Sequence, residues 1–334
     1  MLICKFIITL THSHINYLFR ATTQSQIRYY VMLSILIPIY NFDIYSLVSQ
    51  LNEQCMDIGI AHEIVCVDDR SEDSWRQKNK FLKTIQNCAY IELNQNIGRS
   101  RIRNFLVTKA KYDRLLFLDC DSGIKGKDFI ANYIYYLDTK EVVFGGREYQ
   151  TVPPKEEEFL LHYNYGIKRE SQIAEYRNQN VYRSFHSNNF LVSKDIIAKF
   201  PFDESLSLYG HEDTRWALLL EKNNVMIKHI DNPVIHLGLE DSNIFLRKQS
   251  DAIENIIKLK NSGNSIGSKV EEAHVFLKDF HLLAMFTILY KWTEKRLVRN
   301  LLSSRPSLFV LDLFRLGIYC RLMKKQQETH YEKI

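Results

Sequence analysis

The sequence predicts an α/β fold with a largely parallel central sheet flanked by helices, followed by a helical C-terminal region. Short apolar runs bounded by polar turns alternate with stretches of helical pattern, as βαβ units require. The 334 residues, 46% hydrophobic and 25% charged, suit one large globular domain with an appendage. The predicted strands of the first half are Leu33–Ile39, Ile64–Val67, Tyr90–Leu93, Leu115–Leu118 and Val142–Phe144.

Three of these strands end in polar residues, namely Tyr40-Asn41, Asp68-Asp69 and Asp119-Cys120-Asp121. In open α/β sheets, ligands bind off the carboxyl ends of the strands. We therefore expect these residues to share one crevice.

Beyond Thr151 the pattern changes and the predicted elements become shorter. Helices are predicted at Lys155–Arg169 and Glu212–Asn223, and strands at Phe185–Val192, Val225–His229 and Val234–Leu237, all lying across the edge of the same sheet. The chain is accordingly divided into an N-terminal extension (1–31), an α/β domain (32–240) and a helical, basic, amphipathic region (241–334). Residues 1–31 precede the first strand and are interpreted either as an extension or as the product of a misassigned start codon.

Several classes of protein are not indicated by the sequence. The six cysteines form no CxxC pair, so neither a zinc site nor a disulfide scaffold is predicted, and a cytoplasmic location fits best. The apolar run near the N terminus is too short for a spanning helix. The net charge of +5 is concentrated between Val275 and Lys325, which holds ten Lys/Arg against three Asp/Glu. This local charge does not indicate nucleic acid binding by the whole protein.

The strongest local signal is the apolar strand that ends in Asp119 and Asp121. Hard divalent cations prefer oxygen ligands and need only one or two protein carboxylates when they also bind substrate phosphates. The motif therefore suits a Mg²⁺ or Mn²⁺ diphosphate site. The alternative is a solvated turn in which an aspartate caps the next helix.

Two further segments carry candidate ligand contacts. One carboxylate of Asp68-Asp69 could accept hydrogen bonds from a base or ribose, or the cluster could cap the helix after Ser74. In the run from Asn96 to Arg103, Gly98 allows a close backbone turn, and Arg99 or Arg103 could face phosphate. The alternative for that run is a solvated basic helix face. No GxGxxG or P-loop motif is present.

Glu212 and Asp213 begin a predicted helix, where negative charge is favoured by the helix dipole. One of them could instead accept a proton from an acceptor hydroxyl. His236, which ends a short apolar strand, is interpreted either as a structural histidine or as a metal ligand. Acceptor-side candidates are Asn188, Asn189, Tyr209 and His211.

The motifs SILIPIYN, VDDxSxD, NxGRSRxRN, LFLDCD, FDExLxxYGHEDT and VIH, in this order, resemble those of the family-2 glycosyltransferases over Leu33 to Gly238. The resemblance implies the GT-A fold and an inverting transfer from a nucleotide-diphosphate sugar, with Mn²⁺ or Mg²⁺ as cofactor. It also implies a glycan or lipid-linked acceptor in bacterial surface polysaccharide or lipopolysaccharide synthesis.

The resemblance also implies roles for individual residues. Asp213 matches the catalytic base, and Glu212 would orient the acceptor; Asp121 looks like the direct metal ligand, with Asp119 beside it and His236 as a weaker match. The donor-binding set comprises Pro38, Tyr40, Asp69, Asn96, Gly98, Arg103 and Asp119. Two departures from the family pattern bear on the donor more than on the reaction class: Arg70 stands where the family usually has glycine, and Arg99 and Arg103 add charge around the turn at 96–98.

Other interpretations stay open at this stage. A nucleotidyltransferase would also place carboxylates on Mg²⁺, but the expected glycine-rich basic loop after the first strand is absent. A catalytically inactive sugar-binding or membrane-associated module is the second alternative. The basic amphipathic tail is expected at the inner face of the cell membrane, or else packed on the α/β domain or on a second subunit of a homo-oligomer.

Overall fold

The computed structural model of the chain describes residues 32–205 and 209–331; the predicted extension at residues 1–31 lies outside them. The strands are β1 (Met32–Ile39), β2 (Ala61–Asp68), β3 (Cys88–Glu92), β4 (Arg114–Leu118), β5 (Ser122–Gly123), β6 (Val142–Phe144), β7 (Arg147–Glu148), β8 (Asn189–Ser193), β9 (Ile227–His229) and β10 (Val234–His236). The helices of the α/β part are α1 (Tyr45–Ile58), α2 (Asp73–Asn79), α3 (Arg99–Lys109), α4 (Phe129–Ile134), α5 (Leu160–Tyr165), α6 (Ala174–Arg177), α7 (Lys194–Lys199) and α8 (Glu212–Lys222). Four longer helices follow, α9 (Ser242–Asn261), α10 (Lys269–Asp279), α11 (Leu283–Leu301) and α12 (Leu308–Tyr331).

Seven strands form the central sheet in the order β3-β2-β1-β4-β8-β6-β9. The first four are mutually parallel, whereas β8 is antiparallel to both of its neighbours. Because β4 and β8 run in opposite directions, the residues before β8 lie at the same edge of the sheet as the residues after β4. The predicted α/β fold with a mostly parallel sheet is confirmed.

Alternating side chains of the strands pack into two apolar layers, one on each face of the sheet. On one face, Leu33 and Ile35 of β1 pack with Leu51 of α1. On the other, Phe117 of β4 and Phe190 of β8 stack at 4.8 Å between ring centroids, beside Trp216 of α8. The strands read as nearly continuous apolar runs because both of their faces are covered.

A second, three-stranded sheet has the order β5-β10-β7. Its register places His236 opposite Ser122 and Val234 opposite Arg147. This sheet therefore brings three distant stretches of the chain together immediately after Asp121.

The C-terminal helices share a third apolar cluster, in which Ile253 and Ile256 of α9 pack with Leu311 and Tyr319 of α12. Leu161 of α5 joins the cluster and connects it to the α/β part. Among the helices that the structure describes, none combines the length and the apolar composition needed to cross a bilayer.

Two predicted elements differ from the structure. The strand expected at Phe185–Val192 begins only at Asn189, and it lies inside the sheet, between β4 and β6, instead of at its edge. The helix expected at Lys155–Arg169 is broken into a 3-10 turn, α5 and a π-helical turn at Gly166–Glu170. There, a Cβ on Gly166 would overlap the ring of Tyr149, so the helix and the ring pack closely only because this residue is glycine.

Candidate active site

The crevice predicted at the carboxyl ends of β1, β2 and β4 is present, and hydrogen bonds tie its loops together. The backbone N–H of Asn41 donates to Ser71 Oγ at 2.8 Å, and Glu72 N–H donates to Asn41 Oδ1 at 2.8 Å. Pro38 is half-buried on β1, and Tyr40 just beyond it is exposed to solvent. These contacts fix the position of the loop that carries Tyr40.

Asp69 organises the turn before α3. Its Oδ1 accepts from Ile97 N–H at 2.7 Å and its Oδ2 from Gly98 N–H at 3.0 Å, while Asn96 donates to the Asp69 carbonyl at 3.1 Å. Gly98 has φ of +84°, a conformation that strongly favours glycine. Burial raises the pKa of Asp69, and the two N–H groups act in the opposite direction. Asp69, Asn96 and Gly98 thus form one structural unit at the crevice.

The acidic cluster around Asp69 does not cap the next helix through a side chain. Helix α2 begins at Asp73, and its N-cap residue, Glu72, makes no side-chain capping bond. Asp68 instead accepts from Ser71 N–H at 2.7 Å and closes the turn locally. The capping alternative for this cluster is therefore wrong.

Asp119 lies between two arginines. Arg103 Nη2 donates to Asp119 Oδ1 at 2.7 Å, and Arg147 Nη2 lies 3.7 Å from Asp119 Oδ2. Arg147 also donates to Glu170 at 3.1 Å. The sequence singled out Arg103 but not Arg147 or Glu170, which no motif marks. Two guanidinium groups therefore converge on Asp119, the first acid of the Asp119-Cys120-Asp121 sequence, which we call the DxD motif.

Asp121 is paired with His236. The Oδ2 atom of Asp121 is 3.3 Å from His236 Nδ1, a buried atom with no hydrogen-bond partner among the described residues. The Asp121 carbonyl accepts from Leu237 N–H at 2.8 Å, and a Cβ on Gly238 would lie 2.5 Å from Asp121 Oδ2. β5 follows Asp121 directly, so this aspartate does not cap a helix.

The donor set at this position fits a divalent cation that also binds a phosphorylated ligand. Within residues 32–205 and 209–331, no group of three or more His, Cys, Asp or Glu could hold a metal ion. A Mg²⁺-type ion bound through substrate phosphates needs only one or two protein ligands. Asp121 and His236 supply that number, since the His236 Nδ1 atom lies 3.3 Å from Asp121 Oδ2 and makes no well-formed hydrogen bond among the described residues.

Asp213 lies in the first turn of α8 beside a histidine that the sequence did not single out. His186 Nδ1 is 3.2 Å from Asp213 Oδ2, and Thr214 N–H donates to Asp213 Oδ1 at 2.7 Å. Burial opposes ionisation of Asp213, yet the His186 and Thr214 contacts hold its pKa below the usual range. Burial likewise opposes protonation of His186, but the aspartate raises its pKa.

Glu212 is buried, and its Oε1 atom lies 3.4 Å from Arg99 Nη1. The guanidinium carbon of Arg99 also lies 4.4 Å from the ring centroid of Tyr209. The helix begins after His211, whose φ of +71° is left-handed and whose side chain makes no capping bond. Glu212 is therefore linked to α3 across the crevice.

The acids that follow β4 (Asp119 and Asp121) and the acids that begin α8 (Glu212 and Asp213) belong to one site. Arg99, which contacts Glu212, also interacts electrostatically with Asp119 and Asp121. Glu170 interacts with the histidines of both carboxylate–histidine pairs. The residues that the sequence placed in separate motifs are thus brought together around a shared set of charged side chains.

Asn188 and Asn189 have different environments. Asn189 accepts from Tyr133 OH at 2.6 Å and donates to the carbonyls of Gly146 and Asn232, so its amide holds the strands in place. The amide oxygen and nitrogen of Asn188, which is 2% exposed, have no hydrogen-bond partner among the described residues. Its backbone carbonyl accepts from Asp119 N–H at 3.0 Å, which places Asn188 beside the DxD motif.

Comparisons with known proteins identify a family and a fold. Residues 34–199 match the sequence model described as Glycosyl transferase family 2. A curated relative, the poly(ribitol-phosphate) beta-glucosyltransferase of Bacillus spizizenii, is 29% identical over 124 residues, which cover 34% of this chain and 19% of the relative. The chain therefore matches only about a fifth of that relative's length.

The chain matches two solved structures, one of them with a TM-score above 0.5. The mannosyltransferase PcManGT from Pyrobaculum calidifontis, solved with GDP-Man and Mn²⁺, is 14% identical with a TM-score of 0.53, covering 93% of this chain and 97% of that one. The fragment 1–349 of S. aureus TarS is 18% identical with a TM-score of 0.45, covering 79% and 73% of the respective chains. The predicted GT-A fold is confirmed by the first of these.

Proposed function

Because the chain belongs to glycosyl transferase family 2, we propose that it transfers a sugar from a nucleotide-diphosphate sugar to an acceptor hydroxyl with inversion at the anomeric carbon. The observation that supports this most strongly is the arrangement of two carboxylate–histidine pairs, Asp121–His236 and Asp213–His186, in one crevice. The Asp121–His236 pair has the donor set for a cation bound to a diphosphate. The Asp213–His186 pair presents an ionised carboxylate.

Asp121 and His236 would hold Mn²⁺ or Mg²⁺, with Asp119 beside them. When bound, such an ion neutralises the departing diphosphate as a Lewis acid. The guanidinium groups of Arg99, Arg103 and Arg147 lie near Asp119 and supply positive charge there in addition to that of the metal ion. Guanidinium groups suit phosphate oxygens because they donate in a planar fork. We assign these arginines to the phosphate side of the crevice.

The nucleotide is proposed to lie against β1 and β2. Tyr40 offers an exposed aromatic ring there, and Pro38 forms part of the same strand end. The turn held by Asp69 fixes Asn96 and Gly98 beside this position. Each of the two carboxylate oxygens of Asp69 accepts one backbone hydrogen bond and keeps a lone pair that can accept another.

Asp213 is the proposed base. Its depressed pKa keeps it ionised throughout the neutral range. A carboxylate of low basicity accepts the proton only as the attacking hydroxyl becomes acidic, so proton transfer accompanies formation of the new C–O bond. His186 fixes one carboxylate oxygen, and the attack comes from the face opposite the diphosphate. Glu212, held by Arg99, would orient the acceptor.

The acceptor is proposed to be a hydroxyl of a bacterial surface polymer, either a glycan or a lipid-linked precursor. The support is the relative in Bacillus spizizenii, whose name pairs a glucosyl group with poly(ribitol-phosphate). An acceptor screen with such polymers, run once the donor is known, tests this assignment.

The first experiment screens UDP-, GDP- and dTDP-sugars for thermal stabilisation and hydrolysis, with Mn²⁺, Mg²⁺ or EDTA. We expect one donor to stabilise the wild type only with metal, and Asp121→Asn to lose this response. Asp57→Asn is the matched control, because Asp57 is an exposed aspartate on α1 outside the crevice. Stabilisation by no donor with either metal would contradict the proposal, and donor binding without any turnover would favour an inactive sugar-binding module.

A further inference from the structure

Helix α11 exposes an unusual number of large apolar side chains. Only Tyr290 and Leu301 of its 19 residues are buried, whereas ten of the 20 residues of α9 are buried. Trp292 is 79% exposed, and Met285, Ile288 and Leu289 are each more than half exposed. Met285 and Ile288 are three residues apart, as are Leu289 and Trp292, and Met285 and Leu289 are four apart. The four side chains therefore lie on one side of the helix.

The exposed apolar surface continues onto the end of α10. Phe276 and Phe280 are both more than half exposed, and their ring centroids are 4.5 Å apart. Each ring covers part of the other. We call these six apolar residues, from Phe276 of α10 and Phe280 just after it to Trp292 of α11, together with the cations described next, the tail face.

Five cations accompany these side chains: Lys278, Lys291, Lys295, Arg296 and Arg299. All are exposed, and none forms an ion pair with another residue that the structure describes. Of the two acids in the same stretch, Glu294 is already paired with Arg321 at 2.8 Å. The tail face therefore carries a clear excess of positive charge next to aromatic and aliphatic groups.

We propose that the tail face lies in the headgroup region of an anionic lipid bilayer. Apolar side chains of such a surface enter the boundary between headgroups and acyl chains, while Lys and Arg contact anionic lipid. A second copy of the chain fits less well, because pairing two tail faces would bring both sets of cations together, and lysine is depleted in protein interfaces. This surface is independent of the proposed transferase site.

The test is flotation of the full chain with vesicles of phosphatidylcholine alone or with 30% phosphatidylglycerol. We expect binding to the anionic vesicles that weakens strongly when salt is raised from 50 to 500 mM, because salt screens the attraction. Lys295→Glu/Arg296→Glu and, separately, Trp292→Ser should each lower the partition coefficient roughly tenfold or more.

Matched controls carry the same changes elsewhere on the surface. Lys80→Glu/Lys83→Glu reverses two exposed lysines, and Tyr135→Ser removes an exposed aromatic ring. Both controls should bind like the wild type. Brominated lipid should quench Trp292 fluorescence in the wild type, and Trp292→Phe should abolish that quenching while it retains binding.

Three results would overturn the proposal. The first is the absence of binding to anionic vesicles at 50 mM salt. The second is a loss of vesicle binding in the control variants as large as in the tail-face variants. The third is self-association of the chain that Trp292→Ser disrupts, with no binding to vesicles. The last result would assign the tail face to a second copy of the chain.

Discussion

The sharpest test of the proposed base is a double-mutant cycle on Asp213 and His186. Asp213→Asn keeps the shape of the side chain but removes the proton acceptor, and a general base contributes about 10² to 10⁴ in rate. We expect kcat to fall by that factor, equivalent to about 2.7–5.4 kcal/mol, while donor binding is retained. Asp57→Asn serves again as the control.

The effect of His186→Gln follows from the geometry of the pair. When His186 is protonated, the two unit charges 3.2 Å apart attract by about 5 kcal/mol at an effective dielectric constant near 20. Both side chains are partly exposed, at 36% and 22%, so solvent screening leaves roughly 1 kcal/mol. Removing the protonated imidazole should therefore shift the acid limb of kcat/KM upward by at most about one pH unit, which leaves Asp213 ionised at neutral pH. A loss of kcat at neutral pH, of roughly tenfold at most, should then come from poorer orientation of the carboxylate.

The same pair predicts how stability depends on pH. The pKa of Asp213 is lowered in the folded state, so its contribution is present above about pH 3.9 and is lost as pH falls through the folded value. The pKa of His186 is raised, so its contribution is present below about pH 6.5 and is lost as pH rises through the folded value. The Tm difference between wild type and His186→Gln should be largest between about pH 3.9 and about pH 6.5, and it should shrink as pH rises through the folded pKa of His186.

The cycle is decisive because the two residues act as a unit. The double variant should be no slower than Asp213→Asn alone, since His186 acts only through the carboxylate. The reasoning is refuted if Asp213→Asn keeps kcat within threefold of wild type, or if the two losses simply add.

Three further predictions concern the rest of the site. Gly238→Ala should abolish metal-dependent donor stabilisation, because its Cβ would lie 2.5 Å from Asp121 Oδ2 and displace the carboxylate; an unchanged thermal-shift response to Mn²⁺ would contradict this. Arg147→Met should cost about 1–3 kcal/mol in urea unfolding, because the partly buried Glu170 carboxylate keeps the Tyr149 hydroxyl as a donor but loses its cation, and Arg147→Lys should recover part of that loss. Asp69→Asn should cost about 1–3 kcal/mol, because the amide nitrogen would face a backbone donor at Ile97 or Gly98; a loss below about 0.5 kcal/mol would show that the turn does not depend on the carboxylate.

The sequence by itself determined the sheet and the line of acids along its edge. An apolar run as short as Leu115–Leu118, bounded by polar residues, suits a strand that is buried on both faces, and Asp119 then follows at its carboxyl end. Because parallel strands present these ends at one edge, the sequence also placed Tyr40, Asp69 and Asp119 around one crevice.

Only the tertiary structure decided which partners these acids have. His186 lies 27 residues before Asp213, and Arg99 lies 113 residues before Glu212, so no local pattern relates the members of either pair. The insertion of β8 between β4 and β6 brings His186 and Asn188 to the DxD edge, and the small sheet sets Arg147 and His236 beside it. Long-range register, which depends on how whole layers pack, is a property of the folded chain and not of any short segment.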